Sequence, residues 1–124
     1  MAVKRILIVE DDEGMREIYA DMFEAEKKQY LIKQVSNAKE ALVLAQKETF
    51  DLIILDIIME PLPGDSFFVR LRDNPKTSDI PVVIISVLSP DTLSKLKDID
   101  HCSIIQKPVR KEQVLRLLEK HLGK

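Results

Sequence analysis

An α/β fold built on one open parallel sheet, with helices on both faces, is predicted by three observations. Five short apolar runs alternate with five longer amphipathic stretches, and the connections between them are short. The third run, Leu52-Ile53-Ile54-Leu55, is apolar at every position. A strand without polar alternation is buried on both faces, which is the condition inside a parallel sheet. A chain of 124 residues suits one ordinary domain, residues 1–124, with a substantial core.

Each element follows from local pattern. The first run, Ile6-Leu7-Ile8-Val9, precedes a stretch in which Met15, Ile18, Tyr19, Met22 and Phe23 recur at helical spacing. The second run, Tyr30–Val35, is interrupted by Lys33 and Gln34 and belongs at a sheet edge. Asn37 with Glu40 reads as a helix cap and its third-position partner, opening a helix with Ala38, Ala41, Leu42 and Ala45 on one face. The third run is the central strand. After the turn Pro61-Leu62-Pro63-Gly64 comes a helix with Phe67, Phe68 and Leu71 inward. Val82-Val83-Ile84-Ile85 follows Pro81, whose missing N–H is tolerable at a strand's first residue. Ser89-Pro90 then caps a short helix through Leu93, Leu96 and Ile99. Cys102–Gln106 is the fifth strand, and the final helix carries Val114, Leu117, Leu118 and Leu122.

Composition excludes several functions. Nineteen Lys and Arg against 21 Asp and Glu give a net charge of −2, so no global positive field holds a phosphate backbone, and direct nucleic-acid binding is not expected. The longest apolar stretches fall far short of the ~20 residues that span a bilayer, and residues 1–10 lack a signal peptide's apolar core. A soluble, cytoplasmic domain without membrane contact is the expectation. The single cysteine, Cys102, excludes an internal disulfide and a cysteine-based zinc site, and is expected to be a buried small hydrophobe. His101 and His121 lie twenty positions apart. Chemistry must therefore use carboxylates, hydroxyls and ammonium groups.

In an open α/β sheet, ligands bind outside the carboxyl ends of the strands. The first run ends in Glu10-Asp11-Asp12, the third in Asp56, the fourth in Ser86 and the fifth in Lys107-Pro108. Taken singly, these residues have plain structural roles. Asp12 and Glu13 would complement a helix dipole, Lys107 would be solvated, Ser86 would be a satisfied hydroxyl and Asp56 a turn former. Their joint placement at four strand ends points instead to one site. Carboxylates converging on a rim repel one another unless a cation sits among them. Magnesium suits oxygen ligands and accepts a phosphoryl oxygen in its shell. With a lysine and a hydroxyl nearby, the set suits phosphoryl transfer, and Asp56, alone at the end of the most buried strand, is the candidate nucleophile forming an aspartyl phosphate.

Those residues closely resemble the receiver domain of two-component response regulators, over essentially the whole chain. The resemblance is carried by Ile6–Asp12 with Met15-Arg16, Asp51–Met59, Gly64, Ile80–Ser86 and Lys107-Pro108. It implies a flavodoxin-like five-stranded sheet of order 2-1-3-4-5. It further implies Asp56 as phosphoacceptor, Asp11 as a direct Mg²⁺ ligand, Glu10 as an acidic partner acting through water, and the Ile58 carbonyl as another ligand. The spacing to Met15-Arg16 favours Glu10-Asp11 over Asp11-Asp12 as the acidic pair, with the second register left open. Lys107 would contact the phosphoryl group, aimed by a cis Lys107-Pro108 peptide, and Ser86 would be the switch hydroxyl.

The sequence also departs from the family pattern. Ile104 stands three positions before Lys107, where the family often has an aromatic, so a rotating aromatic switch cannot operate. Val87 replaces a small residue after Ser86, Glu60 and Pro61 shift the usual proline by one place, and Ser89–Ser103 lacks the usual Gly-Ala pair. Ile58 and Leu88, two positions after Asp56 and Ser86, stand where the resemblance implies side chains that influence how water reaches the phosphoryl group, and both are apolar and cannot orient a hydrolytic water. Slow self-dephosphorylation is therefore expected, and a half-life of seconds for label on the isolated phosphoprotein would overturn that.

The implied partners are a sensor histidine kinase or histidine phosphotransfer protein upstream, and a downstream protein target or an output domain beyond this chain, with a homodimer left open. Catalysis is limited to the domain's own phosphorylation and dephosphorylation. The alternative is a phosphorylation-independent docking or dimerisation module, which Ile104 and Val87 leave open and the five site residues Glu10, Asp11, Asp56, Ser86 and Lys107 oppose. A Mg²⁺-dependent phosphatase is disfavoured because position 58 is Ile rather than a second acid. Lys95, Lys97, Arg110 and Lys111 are expected to form a solvated face.

Overall fold

The apolar runs pair into a single sheet because each strand can satisfy its backbone only against a neighbour. The structure, a computed structural model, describes residues 3–56, 67–86 and 102–123, and within these all side chains except those of residues 67–69, 86 and 102. The described elements are β1 (Lys4–Glu10), α1 (Glu13–Glu24), β2 (Tyr30–Val35), α2 (Ala38–Lys47), β3 (Leu52–Asp56), α3 (Phe67–Asp73), β4 (Val82–Ser86), β5 (Cys102–Gln106) and α4 (Lys111–Leu122). The strand order is β2-β1-β3-β4-β5 with every pair parallel, as predicted, and the interrupted second run is an edge. The Pro61–Gly64 turn, the Ser89-Pro90 helix, Val87, Leu88 and Cys102's side chain lie outside the described residues.

Period-two alternation divides the core into two layers. Leu7, Val9, Ile53, Leu55, Val82 and Ile84 pack against Ala41 and Ala45 of α2 and Leu71 of α3. Ile6, Ile8, Leu52, Ile54, Val83, Ile85 and Ile105 pack against Tyr19 and Phe23 of α1 and Val114 and Leu118 of α4. The same parity carries past the hydrocarbon. Glu10 continues the Ile6–Ile8 row, Asp56 the Leu52–Ile54 row, and Lys107 stands two places after Ile105. The sheet thus aims all three groups toward the layer of α1 and α4.

Local caps start the helices as the residue types require. Asp12 accepts a hydrogen bond from the Met15 N–H at 2.8 Å, and Asn37 accepts one from the Glu40 N–H at 2.8 Å. Each cap contributes about 1 kcal/mol. Ile18, on the predicted apolar stripe of α1, is instead 51% exposed. The inward arc is narrower than the run of apolar residues, because Tyr19 and Phe23 already fill the gap over the sheet. Phe50, in the connection into β3, is buried and completes the layer under α2.

The sheet end opposite the rim is closed by Arg5. Its backbone N–H donates to Asp51 Oδ2 at 2.8 Å and its Nε donates to the Thr49 carbonyl at 2.9 Å, while the guanidinium pairs with Glu48 and lies over the Phe50 ring. Among the described residues no helix is long and apolar enough to cross a membrane.

Candidate functional site

The register of β1 on β3 places Glu10 directly beside Asp56. Adjacent parallel strands run about 4.8 Å apart, so two carboxyl groups share one corner of the rim. Both are almost wholly withdrawn from water, with Glu10 2% and Asp56 1% exposed.

Asp56 is held through both oxygens. Lys107 Nζ lies 2.9 Å from Oδ1, and the Tyr19 hydroxyl donates to Oδ2 at 2.6 Å. Lys107 reaches inward from the end of β5 through a cis Lys107-Pro108 peptide, in agreement with the resemblance. Its side chain keeps 22% of its surface open, so the ammonium sits between Asp56 and solvent.

Glu10 is held differently. Oε2 accepts the Asp12 N–H at 3.0 Å, while Oε1 is buried with no hydrogen-bond donor among the described residues. Burial, and next the adjoining Asp56 carboxyl, push the Glu10 acid up to about 8, against the smaller opposing pull of the Asp12 N–H. Behind it, Arg16 Nη1 donates to the Glu10 carbonyl at 2.7 Å and Gln34 Nε2 donates to the Arg16 carbonyl at 2.9 Å. That chain ties the end of β1 to α1 and β2.

The predicted residues fall into three sets. Glu10, Asp56 and Lys107 come together. Asp11 is exposed at the rim next to them, and Asp12 spends its carboxylate on the α1 cap, so Glu10 rather than Asp12 stands beside Asp56. Ser86 ends β4 opposite Gln106 of β5, but its side chain, like the whole of Ile58, lies outside the described residues. Among the described residues no group of three or more His, Cys, Asp or Glu closes around a common point. The donors that do fit a hard dication are oxygens: the orphaned Glu10 Oε1, the adjacent Asp56 and the exposed Asp11. A dication there would offset the burial and the neighbouring Asp56 carboxyl that raise the Glu10 acid.

Tyr19 is the residue that sequence reasoning missed as a polar group. It falls on the apolar stripe of α1 and is fully buried. Burial and the neighbouring Asp56 and Glu10 carboxyls keep its phenol protonated far above the usual range. The available signal was a hydroxyl-bearing ring in a stripe otherwise made of Met, Ile and Phe.

The response regulator receiver domain family matches residues 6–119. A histidine kinase of Formosa agariphila is 38% identical over 81 residues, which cover 65% of this chain and only 6% of that protein. The chemotaxis protein CheY4 of Vibrio cholerae superimposes with a TM-score of 0.81 at 25% identity, covering 98% of this chain and 100% of the other. The receiver domain of a Pseudomonas aeruginosa sensor histidine kinase, with a magnesium ion coordinated in its active site cleft, gives 0.81 at 22% identity over 99% of this chain and 100% of the other. Match, topology and the acid–lysine rim agree: the chain belongs to the response regulator receiver domain family of two-component signal transduction.

Proposed function

We propose that this chain accepts a phosphoryl group on Asp56 from a phosphohistidine of a sensor kinase or phosphotransfer protein, and changes conformation to control a partner or output domain. The observation that carries the reading is the pairing of buried Asp56 with Lys107 beside Glu10. An Asp56 oxygen attacks phosphorus, forming the O–P bond as the P–N bond breaks. The bonding pair leaves on the imidazole nitrogen, which takes up a proton from solvent. Such a transfer needs alignment and positive charge more than covalent assistance.

Lys107 supplies part of that charge from Oδ1, where it can follow the oxygen into the acyl phosphate. Glu10, Asp11, Asp56 and the Ile58 carbonyl would hold Mg²⁺, which when bound would neutralise the transferring phosphoryl oxygens. Ser86, at the end of β4, is assigned the hydroxyl that bonds the phosphoryl oxygen and draws the next loop with it. Ile104, partly buried against the α2 and α3 layer, offers no ring to rotate. A signal leaving through the β5 face would therefore travel by loop and backbone shifts.

The test is incorporation of phosphate from acetyl phosphate or phosphoramidate. Stoichiometric, Mg²⁺-dependent labelling is expected, with chelation or Asp11→Asn lowering the rate by ~10²-fold or more. Failure to label with any donor, including a phosphohistidine protein, would favour a docking module that keeps the fold alone.

A further inference from the structure

We infer that Tyr19 shortens the life of the phosphorylated state by bonding more strongly to the free Asp56 carboxylate than to its acyl phosphate. The inference rests on Asp56 being the phosphoacceptor. Tyr19 comes from α1, its ring is fully buried in the layer beneath the rim, and its hydroxyl meets Oδ2 at 2.6 Å while Lys107 takes Oδ1.

A hydroxyl bonded to an ionised carboxylate is about twice as strong as one bonded to a neutral carbonyl. Phosphorylation removes the charge from the Asp56 carboxyl itself. If phosphorus is attached to Oδ2, the hydroxyl faces a weakly basic ester oxygen. If it is attached to Oδ1, the hydroxyl faces a carbonyl oxygen. In both cases the bond weakens, so the direction of the effect does not depend on which oxygen reacts.

The same difference acts during hydrolysis. A water oxygen attacks phosphorus, the bond from phosphorus to the Asp56 oxygen breaks, and the pair returns to the carboxylate, while the water's protons pass to solvent and phosphate. Negative charge grows on the leaving carboxylate, where Tyr19 is already aimed and no solvent must reorganise. Tyr19 keeps its own proton throughout. Its role is distinct from that of Lys107, whose charge serves the phosphoryl oxygens as well as the carboxylate. Ile58 and Leu88 occupy positions that the family resemblance links to the entry of water rather than to departure of the carboxylate.

Tyr19→Phe keeps the ring and deletes only the donor. Wild-type and variant chains are labelled from acetyl phosphate with Mg²⁺, freed of donor, and followed for loss of label. The variant is expected to hold label ~3–10-fold longer, with a labelling rate equal to or above wild type. A tyrosine needed only to orient Asp56 would give the opposite pattern, slower labelling with an unchanged lifetime, and that result overturns the inference. Equal lifetimes overturn it as well. If neither chain labels, the phosphoacceptor reading falls and this inference falls with it.

A second readout is independent of turnover. The chain has no Trp and two Tyr, so ultraviolet-excited emission reports Tyr19 and Tyr30 alone. Beryllofluoride with Mg²⁺ is expected to raise emission in wild type as the carboxylate bond that quenches Tyr19 weakens, and to leave Tyr19→Phe unchanged. A change of equal size in both chains overturns the assignment to Tyr19.

Discussion

Asp56→Asn is expected to accept no phosphoryl group, a loss of at least ~10³-fold in labelling rate, while the chain stays folded. An amide oxygen is a far poorer nucleophile than a carboxylate. The packing tolerates the exchange because the amide oxygen can still accept from Tyr19, and Lys107, with 22% of its side chain open, can hydrate when its ion pair is lost. Opposing this loss, Glu10 no longer shares the corner with a second acid. Its elevation, caused first by burial and then by Asp56, should shrink but persist, because burial remains. The net stability change is expected within ~1–2 kcal/mol. Intact-mass measurement after donor treatment and a thermal melt check both halves. Labelling of Asp56→Asn at the wild-type rate would place the nucleophile elsewhere.

Lys107→Met carries the next largest effect. Methionine retains much of the aliphatic length and removes the ammonium, leaving Asp56 with Tyr19 as its remaining donor among the described residues. Removing one partner of a fully buried pair costs about 3–5 kcal/mol, and an exposed pair contributes less than ~1 kcal/mol. With Asp56 buried and Lys107 partly open, a loss of roughly 1–3 kcal/mol is expected. Labelling should fall ~10²–10³-fold, the usual consequence of deleting a preorganised charge at a transferring group. Mg²⁺ should bind more tightly to the variant, since a competing cation has left the carboxylates. Melts with and without Mg²⁺ read that directly: the rise in Tm on adding metal is expected to be larger in Lys107→Met than in wild type. A labelling rate unchanged by the substitution would remove Lys107 from the chemistry.

Much of this was legible residue by residue. The Leu52–Leu55 run could be read as a central parallel strand because burial on both faces leaves no polar alternation, and Lys33 and Gln34 marked the second run as an edge because an edge has a wet side. Asn37 announced its helix by its own hydrogen-bonding chemistry. Other features were not legible. Ile18 matched the helical period yet faces water, since period alone does not say how wide an arc the sheet covers. The alternatives within Glu10-Asp11-Asp12 had similar chemistry in sequence. They separated only when the strand register put Glu10 beside Asp56 and the helix start claimed Asp12.

By itself, then, the sequence determined the α/β class, the strands and their buried faces, and the placement of Glu10, Asp56 and Lys107 at strand ends on one rim. These follow from short-range periodicity and from which residue ends each strand. Only the tertiary structure decided that Asp56 is held by Lys107 on one oxygen and Tyr19 on the other, and that Glu10 is buried with one oxygen unpartnered among the described residues. Both depend on groups separated widely in sequence being brought within hydrogen-bond distance, and on water being excluded from a corner that several elements close together. Neither is a property of any local stretch of chain.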